Sequence, residues 1–112
     1  MTIGRRAFED APLTALDLTG APRLEAIGAE AFRRAELTAL DLTGLAALRV
    51  IGAGAFESSR LATLAGLPTL SSLEAIEENA FLFARLTALD LSFLTRLEAV
   101  GDYAFYLSLI HI

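Results

Sequence analysis

The sequence predicts an α/β repeat solenoid, with parallel strands stacked from unit to unit and joined by short helical turns. Three observations lead there. An Ala-Phe pair recurs at Ala7-Phe8, Ala31-Phe32, Ala55-Phe56, Ala80-Phe81 and Ala104-Phe105, so successive phenylalanines lie 24, 24, 25 and 24 residues apart. Other registers keep the same period: an aliphatic residue five before each Phe (Ile3, Ile27, Ile51, Ile76, Val100) and a small residue three after it (Ala11, Ala35, Ser59, Ala84, Ser108). Within each unit the apolar spacing changes from a strand-like step of two to a denser cluster rich in Ala, Glu and Arg. A fixed period in this length range is the mark of stacked repeats.

The cleanest unit spans 37–56, LTALDLTGLAALRVIGAGAF. Leu40 and Leu42 stand two apart, as do Leu16 and Leu18, and Leu89 and Leu91. That spacing puts both leucines on one face of a strand and the intervening Asp on the other. A second short apolar segment follows at 24–27, 48–51, 73–76 and 97–100. The Gly-x-x-Ala-Phe-x-x-small segment then reads as one or two helical turns, with Gly as an N-cap. Ala31 and Ala35 would give that turn a small face for close packing. Glu77 replaces the Gly in the fourth unit, so glycine in that column reads as favoured rather than required. The third strand region ends Ala65-Gly66 instead of Asp-Leu, and the one extra residue falls near Pro68. A bulge or loosened turn is expected there.

No unit can bury its own apolar edge, but stacked units can. The repeated Phe would fill the interior, each burial contributing about 2–3 kcal/mol. Parallel crossovers of this kind are right-handed. The expected domain is therefore a single solenoid over 1–112, read as a fragment of a longer array because no polar capping unit is visible.

Composition excludes several classes. The chain has 112 residues and a net charge of -5, with nine basic residues, all Arg. No basic cluster exceeds the pairs Arg5-Arg6 and Arg33-Arg34, which argues against a nucleic-acid partner. There is no Cys, which excludes disulfides and thiolate chemistry. No apolar run is long enough for membrane insertion. The only His, His111, lies in the off-pattern tail at 107–112. No phosphate-binding Gly loop is present, since Gly52-Ala-Gly54 lacks the third Gly and the Lys. An enzyme is not expected, nor any cofactor or metal.

The Ile-Gly-x-x-Ala-Phe segments, most closely Val100-Gly-Asp-Tyr-Ala-Phe-Tyr106, resemble the BspA-like class of leucine-rich repeat. The resemblance covers essentially the whole chain. It implies a right-handed solenoid and a protein-binding role, in a cell-surface or secreted adhesin-type parent. Where that family often has Cys three after the Phe, this chain has Ala or Ser.

Two sets of residues are candidates for contacting a partner. Asp17, Asp41 and Asp90 should form an outward column on the strands, interrupted at Ala65. A solvated face is the plain reading of that column, and a patch for a basic partner or a cation the functional one. The aromatics outside the repeat, Phe83, Phe93, Tyr103 and Tyr106, all fall in the last thirty residues. They replace polar or small residues of earlier units; an apolar contact patch is the functional reading, since exposed aromatics favour interfaces, and cover by a following unit is the plain one. Glu77-Glu78 reads as solvated surface. Glu9-Asp10, Arg33-Arg34 and Glu57 occupy equivalent places with alternating sign, so neighbouring units should attract. The expected function is a protein–protein interaction module, its partners a protein and the flanking repeats of the same parent. The alternative is a structural spacer that binds nothing, and a weaker third reading has it position an enzyme elsewhere in the parent.

Overall fold

A computed structural model describes residues 1–86 and 94–104. Seven short strands lie within them: β1 (Thr2–Ile3), β2 (Ala26–Ile27), β3 (Ala39–Asp41), β4 (Val50–Ile51), β5 (Thr63–Ala65), β6 (Ala75–Ile76) and β7 (Ala99–Val100). They form two parallel sheets. The larger has the order β1-β2-β4-β6-β7, and the smaller pairs β3 with β5. Every pairing joins equivalent residues of successive units: Ile3 with Ile27, Ile27 with Ile51, Ile51 with Ile76, and Ile76 with Val100. The arrangement fits a repeat solenoid.

The strand-like leucine run is a strand in β3, where Leu40 is buried and Ala39 and Asp41 are exposed. The most extensive sheet is nonetheless built on the second apolar segment, at the Ile before each Gly. The two kinds of strand meet over one interior. Leu37, Leu40 and Leu42 share it with Leu45, Leu48 and Ile51, all within 2% of full burial.

The helical turns expected after the Ile-Gly step are not formed. In the second unit Ala31, Arg33 and Ala35 donate to Gly28, Glu30 and Phe32 respectively, closing three overlapping four-residue turns at 3.2, 3.2 and 3.1 Å. The alternate N–H groups leave the unit altogether. Glu30, Phe32 and Arg34 donate to the carbonyls of Ala53, Ala55 and Glu57 in the next unit, at 2.8, 2.8 and 2.9 Å. An α-helix would need all of these donors internally. Unit-to-unit pairing takes half of them, and the chain alternates into the left-handed region to aim them. Glu30 and Arg34 have φ of 57° and 56°, and the equivalent residues Arg6, Asp10, Ser58, Asn79, Phe83 and Tyr103 do the same. Among the described residues the only helix is the 3-10 turn η1, Leu67–Thr69.

That turn absorbs the extra residue. β3 and β5 pair with an offset of 24 residues, while β4 and β6 pair with an offset of 25. Pro68 and left-handed Gly66 (φ 86°) shape η1 between them. Thr69 Oγ1 closes it by donating to Gly66 O at 2.6 Å, and accepts from Gly44 N of the preceding unit at 3.1 Å.

The Phe column runs through the interior. The rings of Phe8, Phe32, Phe56 and Phe81 stack with 5.2 Å between successive centroids and interplanar angles of 7°, 2° and 7°. Phe32, Phe56 and Phe81 are fully buried. Offset stacking adds to burial, so each ring contributes both area and an aromatic contact.

Candidate interaction surface

Three surfaces follow from this geometry. The first is the aspartate face. Asp41 is exposed at the end of β3 as the alternation requires, and Asp17 is exposed in the preceding unit, where the 16–18 run forms no strand. Neither carboxylate stands idle. Asp17 Oδ1 accepts from Thr19 N at 2.9 Å and Thr19 Oγ1 at 2.7 Å. Asp41 Oδ1 accepts from the N and Oγ1 of Thr43 in the same way. The Asp-Leu-Thr sequence thus closes an Asx-type turn at Asp17 and at Asp41, the second at the end of β3. The hydroxyl bond, then the backbone bond, hold both carboxyls below their ordinary range. In the next unit Ala65 takes the place beside Asp41. Asp90 lies outside the described residues. No group of three or more His, Asp or Glu placed to hold a metal ion occurs among the described residues.

The second surface is the turn face of the first three units, where the charge columns interlock. Arg33 Nη1 lies 3.1 Å from Glu30 Oε2 and 3.8 Å from Glu9 Oε2, and its Nε lies 3.6 Å from Glu57 Oε2. Arg34 meets Asp10 at 3.1 Å, and Arg6 meets Glu30 at 3.4 Å. The alternation of sign read along 9, 33 and 57 is therefore realised as contacts between neighbouring units. Gly54 sits where Arg6, Glu30, Asn79 and Tyr103 carry side chains, with φ of 64°. Beside it lies a notch of about 470 Å³ whose wall includes Arg5, Glu30, Arg33, Glu57, Glu78 and Asn79.

The third surface is the same face in the later units. Leu82 occupies the column of Glu9, Arg33 and Glu57; Phe83 occupies that of Asp10, Arg34 and Ser58. Phe83 is 48% exposed and Tyr103 is 63% exposed. Both belong to the sequence-predicted aromatic set, and the fold brings them together. With Leu82 and Asn79 they line one shallow concavity of about 420 Å³. Phe93 and Tyr106 lie outside the described residues. Sequence reasoning missed Leu82, Asn79 and Gly54 as surface features. The signal was available in the columns: apolar Leu and side-chain-free Gly each break a line of charged residues.

A parallel-sheet repeat with a buried phenylalanine stack and a leucine-lined interior defines a leucine-rich repeat module. A scan against family models matches residues 1–111 to the BspA type leucine-rich repeat region, in six copies. The chain belongs to that family. No curated protein and no solved structure matches it.

Proposed function

We propose that this chain is a protein-interaction module whose contact surface is the turn face of its later units. The observation behind this reading is the exposure of Phe83 and Tyr103 around one concavity. Both residues hold φ near +60°, where a bulky L-residue costs about 1–2 kcal/mol. Burial repays that cost only in part, since about half of Phe83 and more of Tyr103 stays exposed. Aromatic side chains in such places gain free energy when a partner covers them. The wider role in a cell-surface, adhesin-type parent is the context that family membership suggests.

The alternative is a non-binding spacer, and one observation favours it for the aspartate face. Asp17 and Asp41 are engaged by Thr19 and Thr43, so they act as turn closures without any ligand. We accordingly place the partner away from the aspartate column.

Affinity capture with the folded chain, followed by competition with a Phe83→Asn variant, tests the proposal. A module yields a partner retained by the parent sequence and lost from the variant. A spacer yields none above an unrelated repeat protein.

A further inference from the structure

Units one to three and units four to five treat the same face oppositely. In the first three, Glu9, Asp10, Glu30 and Glu57 each contact an Arg of their own or an adjacent unit. In the later ones Glu77, Glu78 and Asp102 are exposed, and among the described residues no ion pair engages them. The fold sets Glu78 and Asp102 in one column, since Asn79 N donates to Asp102 O at 3.1 Å and Gly101 packs against Glu78 N. Like charges in neighbouring units repel unless a cation is supplied. Beside them lies the apolar concavity of Leu82, Phe83 and Tyr103. Asn79 lines both this concavity and the notch beside Gly54, where Arg5 and Arg33 already pair with Glu30 and Glu57, and Glu78 is the carboxylate that no ion pair engages among the described residues.

We propose that this surface binds a protein segment that carries an apolar side chain next to an arginine or lysine. The apolar group covers Phe83 and Tyr103, and the cation reaches past Asn79 to Glu78 in the notch. The inference rests on the interaction-module reading and adds the chemistry of the partner. Charge complementarity selects the occupant. An acidic or purely hydrophilic segment would meet unpaired carboxylates or leave the aromatics wet, and a basic stretch without an apolar residue would forgo the concavity.

The test uses the full chain and three fluorescein-labelled peptides of equal length, alternating Leu-Arg, Leu-Glu and Ser-Arg, followed by fluorescence anisotropy. The Leu-Arg peptide is expected to bind roughly tenfold or more tightly than either control. Phe83→Asn should cut that affinity about tenfold. Its melting temperature should stay level or rise, because Asn suits the left-handed backbone better than Phe. Loss of binding with retained stability separates recognition from folding. Glu78→Gln should weaken binding about threefold and flatten its salt dependence. Equal binding of the Leu-Glu peptide overturns the proposal, as does an unchanged affinity in Phe83→Asn or no binding by any peptide. A dimer of the unliganded chain in sedimentation, abolished by Phe83→Asn, overturns it too, because the patch would then be a self-contact. Failure of the peptide preference alone leaves the interaction reading standing if affinity capture still returns a partner that Phe83→Asn releases.

Discussion

The carbonyl oxygen of Ile27 stands 2.7 Å from the point where a β-carbon on Gly52 would lie. The same closeness recurs one unit back, where a β-carbon on Gly28 would come within 2.6 Å of Ile3 O. The Gly after the strand is thus favoured because backbones come close there, and capping plays no part. Glu77 is the exception, in the unit after the 25-residue interval, and it keeps the same backbone bond, to Ile51 O at 2.9 Å.

Gly52→Ala is accordingly expected to destabilise the fold by about 1–3 kcal/mol, the usual range for forcing an extra carbon into packed surroundings. Gly4→Ala is the internal control. No atom lies within 4 Å of its added β-carbon, so its effect should stay within about 0.5 kcal/mol. Urea midpoints of the two variants decide the point. Equal midpoints would contradict the close-approach reading.

Phe56 is sandwiched between Phe32 and Phe81 and fully buried. Phe56→Ala should cost about 3–5 kcal/mol. Phe8 contacts one described ring and is only partly buried, so Phe8→Ala should cost clearly less. Denaturant titration of both variants measures the difference.

Ser58 holds φ of 55° and is exposed. Ser58→Gly removes the left-handed penalty at the cost of extra freedom in the unfolded chain, for a net gain of up to about 1 kcal/mol. A helical turn at this position would predict the reverse, because Gly weakens helices. Thermal unfolding of Ser58→Gly therefore distinguishes the two backbone conformations directly.

Arg33 touches three glutamates drawn from its own unit and both neighbours. Arg33→Met keeps much of the apolar stem and removes the charge. It should cost about 1 kcal/mol at low salt and less in concentrated salt, since partly exposed pairs are screened. A loss that is unchanged by salt would assign the effect to packing instead.

The hydrogen bonds from Thr43 lower the Asp41 pKa below its ordinary value of 3.8. A depressed carboxylate pKa contributes stability above the unfolded value, and that contribution is lost as pH falls through the folded one. Asp41 therefore supports the fold at neutral pH and ceases to do so in acid, below about pH 4. Thr43→Val removes the hydroxyl donor and keeps the backbone one, so Asp41 should titrate closer to its ordinary value. Carboxyl carbon NMR across the acid range reads the shift.

The interior was legible from the sequence because stacking demands identity. Each Phe must lie on the Phe of the next unit, so Phe8, Phe32, Phe56 and Phe81 had to keep their spacing, and the spacing revealed the stack. The larger sheet was read less well, because the two-residue step at Leu40 and Leu42 is a stronger local signal than the single Ile that ends β2, β4 and β6. The aromatic patch was half legible: Phe83 and Tyr103 were visible as departures from the pattern, while their meeting with Leu82 and Asn79 depends on two units lying side by side.

By itself, the sequence determined the period, the parallel stacking, the buried column and the family, all of which follow from side chains repeating at fixed intervals. Only the tertiary structure decided the backbone of the Ala-Phe segment and the role of the aspartates. The first turns on donors that leave their own unit, as Phe32 N does for Ala55 O; the second turns on a threonine folding back onto Asp41. The bonds between units are settled by which groups come within 3 Å or so of one another once neighbouring units are in place, a proximity that no local propensity encodes, whereas the Asp41 turn is a local closure that the Asp-Leu-Thr sequence permits without requiring.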